Sequence, residues 1–174
     1  MSINAVMDTI AADITESTKA IFETMIMIPL QHSDPYLGDQ HQIRSDVLGM
    51  VSFTGKYYGV IAMFCSKKFA LKAASSMLMT EMTSFSSDVR DAVGEISNMI
   101  AGNIKTRLTA KCGEMNLSIP IVIAGEGLSI TAIDNNPVVA DATLSCFSKD
   151  KWLMLPFTSE NEKFSVGFLI KEST

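Results

Sequence analysis

Glu95 and Asn98 are the two residues whose types and spacing could do chemistry together in this sequence. They are three positions apart in residues 88–108, where apolar residues recur at helical spacing, so both side chains project from one side of a predicted helix. A carboxamide can donate to a water molecule and also accept from it, and so hold that water in line with a phosphorus atom. Positioning and charge stabilisation account for most of the catalysis of phosphoryl transfer. The pair therefore fits phosphoryl hydrolysis.

The carboxylate of Glu95 indicates where the phosphate would come from. A glutamate that faces a phosphate alone is repelled by it, so we expect Glu95 to pair with a lysine instead. That lysine would belong to the phosphate-bearing partner. The sequence therefore predicts a protein substrate that supplies its own cation and its own metal ion.

A solvated helix face is the simpler explanation of an acid and an amide at this spacing, but several features favour a functional face. Gly94 and Gly102 each cost about 1 kcal/mol relative to alanine within a helix, which predicts a close approach at these positions. Gly102 and Ala101 add little bulk around the pair and would leave room for another molecule. The face between Glu95 and Lys105 also lacks the long, mixed charges of a merely solvated helix.

The rest of the predicted helix explains how the pair would be positioned. Its apolar face is formed by Val89, Val93, Ile96, Ile100, Ile104 and Leu108. Almost opposite lie Asp91, Glu95, Asn98, Gly102 and Lys105. Ser86 or Ser87 can cap the start of this helix, and Gly113 suits the position just beyond its end.

The other elements predict an α+β fold. Residues 3–28 form a long helix that stops before Pro29, and Ser66 caps a shorter helix over 67–79. Residues 47–54 and 57–64 flank Gly55 and Lys56 as an antiparallel hairpin. Further strands are predicted at 117–124, 142–147, 151–157 and 164–170. A long helix followed by strand pairs occurs twice, so we predict one domain over 1–174, built from two pseudo-repeated halves with the long helices on one face of an antiparallel sheet.

The composition excludes several classes of protein. A net charge of -5 with no basic cluster argues against nucleic-acid binding. The sequence has no apolar run long enough to span a membrane, and its first residues lack the basic and apolar regions of a signal peptide, so we expect neither. Three separated cysteines (Cys65, Cys112 and Cys146) without a CxxC pair are typical of a reduced, cytoplasmic setting and predict structural roles.

Other catalytic centres have no signature in the sequence. His32 and His41 are the only histidines, and neither has metal-ligand spacing to the cysteines or carboxylates. The chain also lacks a phosphate-binding glycine loop and a nucleophile–histidine motif. We therefore expect no metal or cofactor bound by this chain itself.

The helix motif resembles that of a known family. Two acids, an amide and a later proline match the signature of the chemotaxis phosphatases CheC, CheX and FliY at Asp91, Glu95, Asn98 and Pro120. Residues 93–103 and residues 22–25 of the first helix resemble the CheX branch. Pro120 is about one residue closer to Asn98 than in the family pattern, and the likeness is specific in the helix and weak elsewhere.

The resemblance implies a function for each motif residue. It implies a phosphatase that hydrolyses the phospho-aspartate of a response regulator such as CheY, with Asn98 orienting the attacking water. Glu95 would pair with the active-site lysine of the regulator, which would also bind the Mg²⁺. Asp91 would have a supporting role in capping or local positioning. The CheX branch also forms homodimers that are joined through their sheets.

The first helix would be the structural equivalent of the helix that carries Glu95 and Asn98, but without the catalytic residues. The CheC branch carries a second copy of the motif on that helix. Here the best alignment places Asp13, Ser17 and Ala20 at the three motif positions, so both working residues are missing. One active site per chain is expected.

Two alternatives remain open from the sequence. A non-catalytic adaptor of the same fold, related to the flagellar switch proteins, would bind a receiver domain without hydrolysis. A phosphatase of the same mechanism could also serve a receiver outside chemotaxis. Glu95 and Asn98 together favour catalysis, since an adaptor has no need of a water-orienting amide.

Overall fold

The computed structural model describes residues 3–39, 45–128 and 151–172. Its helices are α1 (Ile3–Ile21), which continues as a π-helical turn (Phe22–Ile26), α2 (Lys67–Leu78) and α3 (Ser87–Cys112). Its strands are β1 (Gln31–His32), β2 (Tyr36–Asp39), β3 (Ser45–Gly55), β4 (Tyr57–Cys65), β5 (Met115–Leu117), β6 (Ile121–Leu128), β7 (Lys151–Ser159) and β8 (Glu162–Glu172).

All described strands join one antiparallel sheet with an internal two-fold arrangement. The strand order is β1-β7-β8-β4-β3-β5. In addition, β2 pairs with β7 and β6 pairs with β3. Each half of the chain contributes a long helix, a broken edge strand and a hairpin, and each edge strand pairs with the hairpin of the other half. The predicted α+β fold with two pseudo-repeated halves is confirmed.

The sheet is buried on both faces near its centre. Helix-facing side chains such as Val51, Ile61 and Met63 join those of all three helices in the main core. Their neighbours along the strands form a second cluster on the opposite face: Leu48, Ala62, Phe64, Trp152, Met154 and Leu169. This alternation has the period of two that a strand imposes, and it places the helices together on one face.

The predicted helices and strands agree with the structure except at two places, and β1 and β2 lie in a segment where no strand was predicted. The helix predicted over 3–28 ends in the π-helical turn, where Met27 and Ile28 both donate to the carbonyl of Phe22. The strand predicted at 117–124 is divided into β5 and β6. Ser118 still donates to the Ser52 carbonyl, but the Ser52 N–H donates to the Ser118 hydroxyl, and Pro120 has no N–H to donate. The strand predicted at 142–147 lies outside the described residues.

Local capping agrees with the sequence at α2. The Ser66 hydroxyl accepts from the Phe69 N–H at 3.0 Å, as a helix N-cap does. Within the described residues, no helix is both long and apolar enough to cross a membrane.

Candidate functional site

The buried face of α3 is the one that the sequence predicts. Its six apolar residues, Val89 to Leu108, are at most 1% exposed. The helix ends at Gly113, whose positive φ of 77° suits glycine, and Gly113 donates to the Thr109 carbonyl. Ser86 occupies the N-cap position, but its side chain makes no capping hydrogen bond.

The opposite face of α3 presents the acid–amide pair outward. Asp91 and Glu95 are exposed, while Asn98 and Gly102 are partly exposed. Within the described part of the chain, no side-chain hydrogen bond or ion pair involves Glu95 or Asn98. The pair is therefore accessible to another molecule.

Ala101 does not lie on this outer face. It is fully buried in the main core, one helical turn beyond the buried Ser97. The prediction that Ala101 leaves room beside Glu95 and Asn98 is therefore wrong. Gly102 does face open space, since a Cβ added there would have no atom within 4 Å.

Gly94 lies beside the strand β6. A Cβ added to Gly94 would lie 3.5 Å from Val122 and 3.9 Å from Pro120, which are ordinary van der Waals distances. The predicted close approach at Gly94 is therefore wrong, because a methyl group fits. The contact nevertheless places Pro120, the last residue of the motif, against the helical turn that carries Glu95.

The contact between Ser97 and Gly49 determines how closely α3 packs on the sheet. A Cβ added to Gly49 would clash with the Ser97 hydroxyl and would lie 3.1 Å from Val93 and 3.2 Å from the Ser97 Cβ. The Ser97 hydroxyl donates to the Val93 carbonyl at 2.8 Å. The glycine thus lets the helix approach β3 directly beneath the turn that carries Glu95 and Asn98. Sequence reasoning missed this pair, because the two residues are far apart along the chain.

The helices α1 and α3 have equivalent buried positions. These are Ile10, Ile14, Ser17 and Thr18 in α1, and Val89, Val93, Ile96 and Ser97 in α3. The Thr18 hydroxyl donates to the carbonyl four residues earlier at 2.9 Å, as the Ser97 hydroxyl does. On this basis Glu16 of α1 corresponds to Glu95, and Lys19 corresponds to Asn98.

The predicted register of the twin helix is therefore shifted by one residue. Ser17, predicted at the position of Glu95, is fully buried, and its hydroxyl has no hydrogen-bond partner in the described structure. Asp13 forms an ion pair with Lys111 of α3. In the corrected register α1 keeps an exposed acid at Glu16 but has a lysine in place of the amide. It still lacks the complete pair.

The remaining candidate groups lie elsewhere. His32 is exposed on β1, whereas His41 and Cys146 lie outside the described residues. Cys65 and Cys112 are buried, and burial, followed by the nearby Asp46, raises the pKa of the Cys65 thiol to about 12. Among residues 3–39, 45–128 and 151–172, no cluster of three or more histidine, cysteine or acidic side chains could hold a metal ion.

Comparisons with known proteins agree on one family and fold. The sequence model of the family "Chemotaxis phosphatase CheX" matches residues 47–142. A candidate chemotaxis protein from Desulfovibrio vulgaris Hildenborough is 26% identical, with 93% of this chain and 96% of that chain covered and a TM-score of 0.78. CheX from Desulfovibrio desulfuricans is 25% identical, with 93% and 99% covered and a TM-score of 0.78.

A third structure is a complex. In the CheX–CheY–BeF₃–Mg²⁺ complex from Borrelia burgdorferi, the matching chain is 23% identical, with 92% of this chain and 97% of that chain covered and a TM-score of 0.70. No curated protein sequence matches the chain.

Proposed function

Because this chain belongs to the CheX family of chemotaxis phosphatases, as its helix motif predicted, we propose that it hydrolyses the phospho-aspartate of a CheY-like response regulator. The observation that carries the proposal is the outward presentation of Glu95 and Asn98 from the exposed face of α3. The Borrelia burgdorferi complex supports it, because a protein of this fold is bound there to CheY with BeF₃ and Mg²⁺.

Asn98 orients the attacking water in this proposal. Its amide donates to or accepts from a water molecule and holds it in line with the phosphorus of the partner's phospho-aspartate. Hydrolysis needs no nucleophile from this chain, since the water forms the new bond to phosphorus and the aspartate leaves as a carboxylate. The Mg²⁺ that the receiver binds neutralises the developing charge on the phosphoryl oxygens.

Glu95 pairs with the receiver's active-site lysine. One helical turn separates it from Asn98, so a single approach of α3 brings both side chains to the same partner site. The pairing positions the lysine and fixes the register in which Asn98 meets the phosphoryl group. Asp91, one turn earlier on the exposed face, has a supporting role in local positioning.

We also propose that two copies of the chain associate through their sheets. Val122 of β6 faces α3, whereas Ile121 and Ile123 point to the other face of the sheet and are exposed. Within the described residues, β6 pairs on one side only, with β3. An edge strand with exposed isoleucines supports the proposal of a cytoplasmic homodimer formed through this part of the sheet.

Decay of a phosphorylated receiver domain tests the proposed function. We expect wild-type protein to accelerate the decay, Asn98→Ala to lose turnover with binding largely retained, and Glu95→Ala to lose turnover and bind more weakly. Loss of one positioned group of this kind costs on the order of 10²–10³ in rate. Decay no faster with wild type than with either variant would overturn the catalytic proposal.

Two matched controls exist in the chain. Glu16→Ala removes an exposed glutamate at the equivalent position of α1, and Asn103→Ala removes an asparagine further along α3. Both are expected to keep full turnover. Binding to the BeF₃-activated receiver without accelerated decay of its phosphorylated form would identify the adaptor function instead.

A further inference from the structure

Four exposed apolar side chains lie at the ends of α1 and α2. Met27 and Met79 are 71% and 82% exposed, and Met25 and Leu78 are 58% and 41% exposed. We call these four residues the methionine surface. Single exposed apolar residues are common on proteins, but four at two adjoining helix ends form a patch of the kind that marks an interaction site.

The backbone at two of these residues is unfavourable for methionine. Met27 and Met79 have φ values of 58° and 52°, in the left-handed region, and each ends its helix as a C-cap. Glycine or asparagine adopts this conformation more easily, and glycine is the usual residue there. Stability of the fold does not explain a methionine at either position, so a role for the side chains outside the fold is indicated.

The two helix ends are held together. The Ser76 hydroxyl of α2 donates to the Ile26 carbonyl at the end of the π-helical turn, at 2.5 Å. Met27 follows Ile26 directly, and Met79 lies three residues after Ser76. This hydrogen bond therefore holds the two helix ends that carry the methionine surface beside each other.

The patch lies toward the half of α3 that carries Glu95 and Asn98. Residues 79–86 connect α2 directly to the start of α3, so the end of α2 lies near that start. The end of α1 is bonded to the same end of α2, which makes α1 antiparallel to α3. Asp13 pairs with Lys111, so Met25, twelve residues after Asp13, lies at about the level of Met99, twelve residues before Lys111.

We propose that the methionine surface is a second contact for the same receiver domain, packing on exposed aliphatic side chains beside its phosphorylation site. This inference rests on the proposed function. The level of the methionine surface along α3, near Glu95 and Asn98, favours a receiver over a second copy of this chain, since Ile121 and Ile123 lie on the opposite face of the sheet. Methionine side chains are unbranched and adaptable, so such a contact would accept receivers whose surfaces differ in detail.

The left-handed backbone at Met27 and Met79 allows a test in which the side chains are removed without straining the fold. The double variant Met27→Asn/Met79→Asn removes both side chains while placing at each C-cap a residue that tolerates the conformation. We expect an unchanged or raised melting temperature, together with about tenfold or greater weakening of binding to the Mg²⁺-loaded, BeF₃-activated receiver. In turnover, KM should rise by a much larger factor than kcat falls.

The control is Tyr58→Ser, which removes an exposed aromatic side chain from the sheet face away from the helices. It should leave receiver binding unchanged. Unchanged KM and Kd in the asparagine double variant would overturn the inference, as would a change in its sedimentation coefficient with unchanged receiver affinity. Failure of the proposed function is distinguished by the wild-type protein itself, which would then leave the decay of the phosphorylated receiver unchanged.

Discussion

Ser97 of α3 lies directly over Gly49 of β3, so close that any side chain at position 49 would meet the serine hydroxyl. We expect Gly49→Ala to push α3 away from the sheet and to destabilise the protein by about 1–3 kcal/mol, as overpacking of a core does. The same displacement would misplace Glu95 and Asn98, and an error of about 1 Å can cost up to about 10²-fold in rate. Urea denaturation and receiver turnover measure the two effects.

A second substitution identifies the cause. Ser97→Ala removes the clashing hydroxyl and leaves a Cβ only 3.2 Å from the new methyl group, a tight contact that a small shift relieves. The double variant Gly49→Ala/Ser97→Ala should therefore be more stable than Gly49→Ala alone. Strictly additive free energies in this double-mutant cycle would contradict direct contact as the cause.

Structural features that depend on residues close together along the chain could be predicted from the sequence. The apolar face of α3 follows from the helical repeat, and the hairpin of β3 and β4 follows from residues of high β-propensity on either side of a turn at Gly55 and Lys56. The Ser66 cap follows from a serine placed just before a helical pattern. In each case the deciding interaction lies within a few residues of the pattern.

Features that depend on distant contacts could not be predicted. The burial of Ala101 depends on how α3 is rotated against its neighbours, because the residue lies at the border of the predicted polar face. The register of α1 was misassigned by one residue because residue types were matched, whereas Thr18 and Ser97 show the correspondence through burial and equivalent hydrogen bonds. The contact of Gly49 with Ser97 has no sequence signal at all.

Gly102 offers a second prediction, because its environment within the chain is open. Gly102→Ala should stabilise the protein by up to about 1 kcal/mol through helix propensity. Gly102→Leu should keep the fold but weaken binding of the BeF₃-activated receiver, if the glycine leaves room for that partner beside Asn98. Thermal unfolding and a binding titration separate the two effects.

Gly94→Leu is not a suitable control for that experiment, because Gly94 is buried against Val122. Gly94→Ala is the better comparison, since its methyl group makes only ordinary contacts and should raise stability in the same way. Equal receiver affinity for wild type and Gly102→Leu would show that the partner does not approach this position.

Ser76 gives a third prediction, because its hydroxyl joins the ends of α1 and α2. Ser76→Ala removes the hydrogen bond to the Ile26 carbonyl and should cost about 1 kcal/mol. It should also loosen the methionine surface and raise KM for the phosphorylated receiver. Steady-state turnover and denaturation measure both.

Ser66→Ala is the matched control for Ser76→Ala. It removes the N-cap of the same helix α2 and should also cost about 1 kcal/mol. Because Ser66 lies at the other end of α2, this loss should leave KM unchanged. An equal rise of KM in both variants would mean that general destabilisation, rather than the joined helix ends, controls binding.

Cys65 gives a fourth prediction, on the dependence of stability on pH. Burial, with a smaller contribution from Asp46, raises the pKa of its thiol from 9.0 to about 12 in the folded protein. Well below pH 9.0 the thiol is protonated in both states and has no effect on the pH dependence of stability. Above it the unfolded chain releases the proton while the folded chain retains it, so stability falls by about 1.4 kcal/mol per pH unit until the pH reaches the folded value.

Comparison with Cys65→Ala isolates this effect, because the lysines and tyrosines that also titrate at high pH are the same in both proteins. The substitution itself lowers stability near neutral pH by removing a buried side chain. Between about pH 8 and about pH 10.5, however, the stability difference between wild type and variant should shrink by about 2 kcal/mol. Urea denaturation at each pH measures it. A difference that stays constant over this range would mean that the Cys65 thiol ionises as readily in the folded protein as in the unfolded chain, contrary to its burial in the main core.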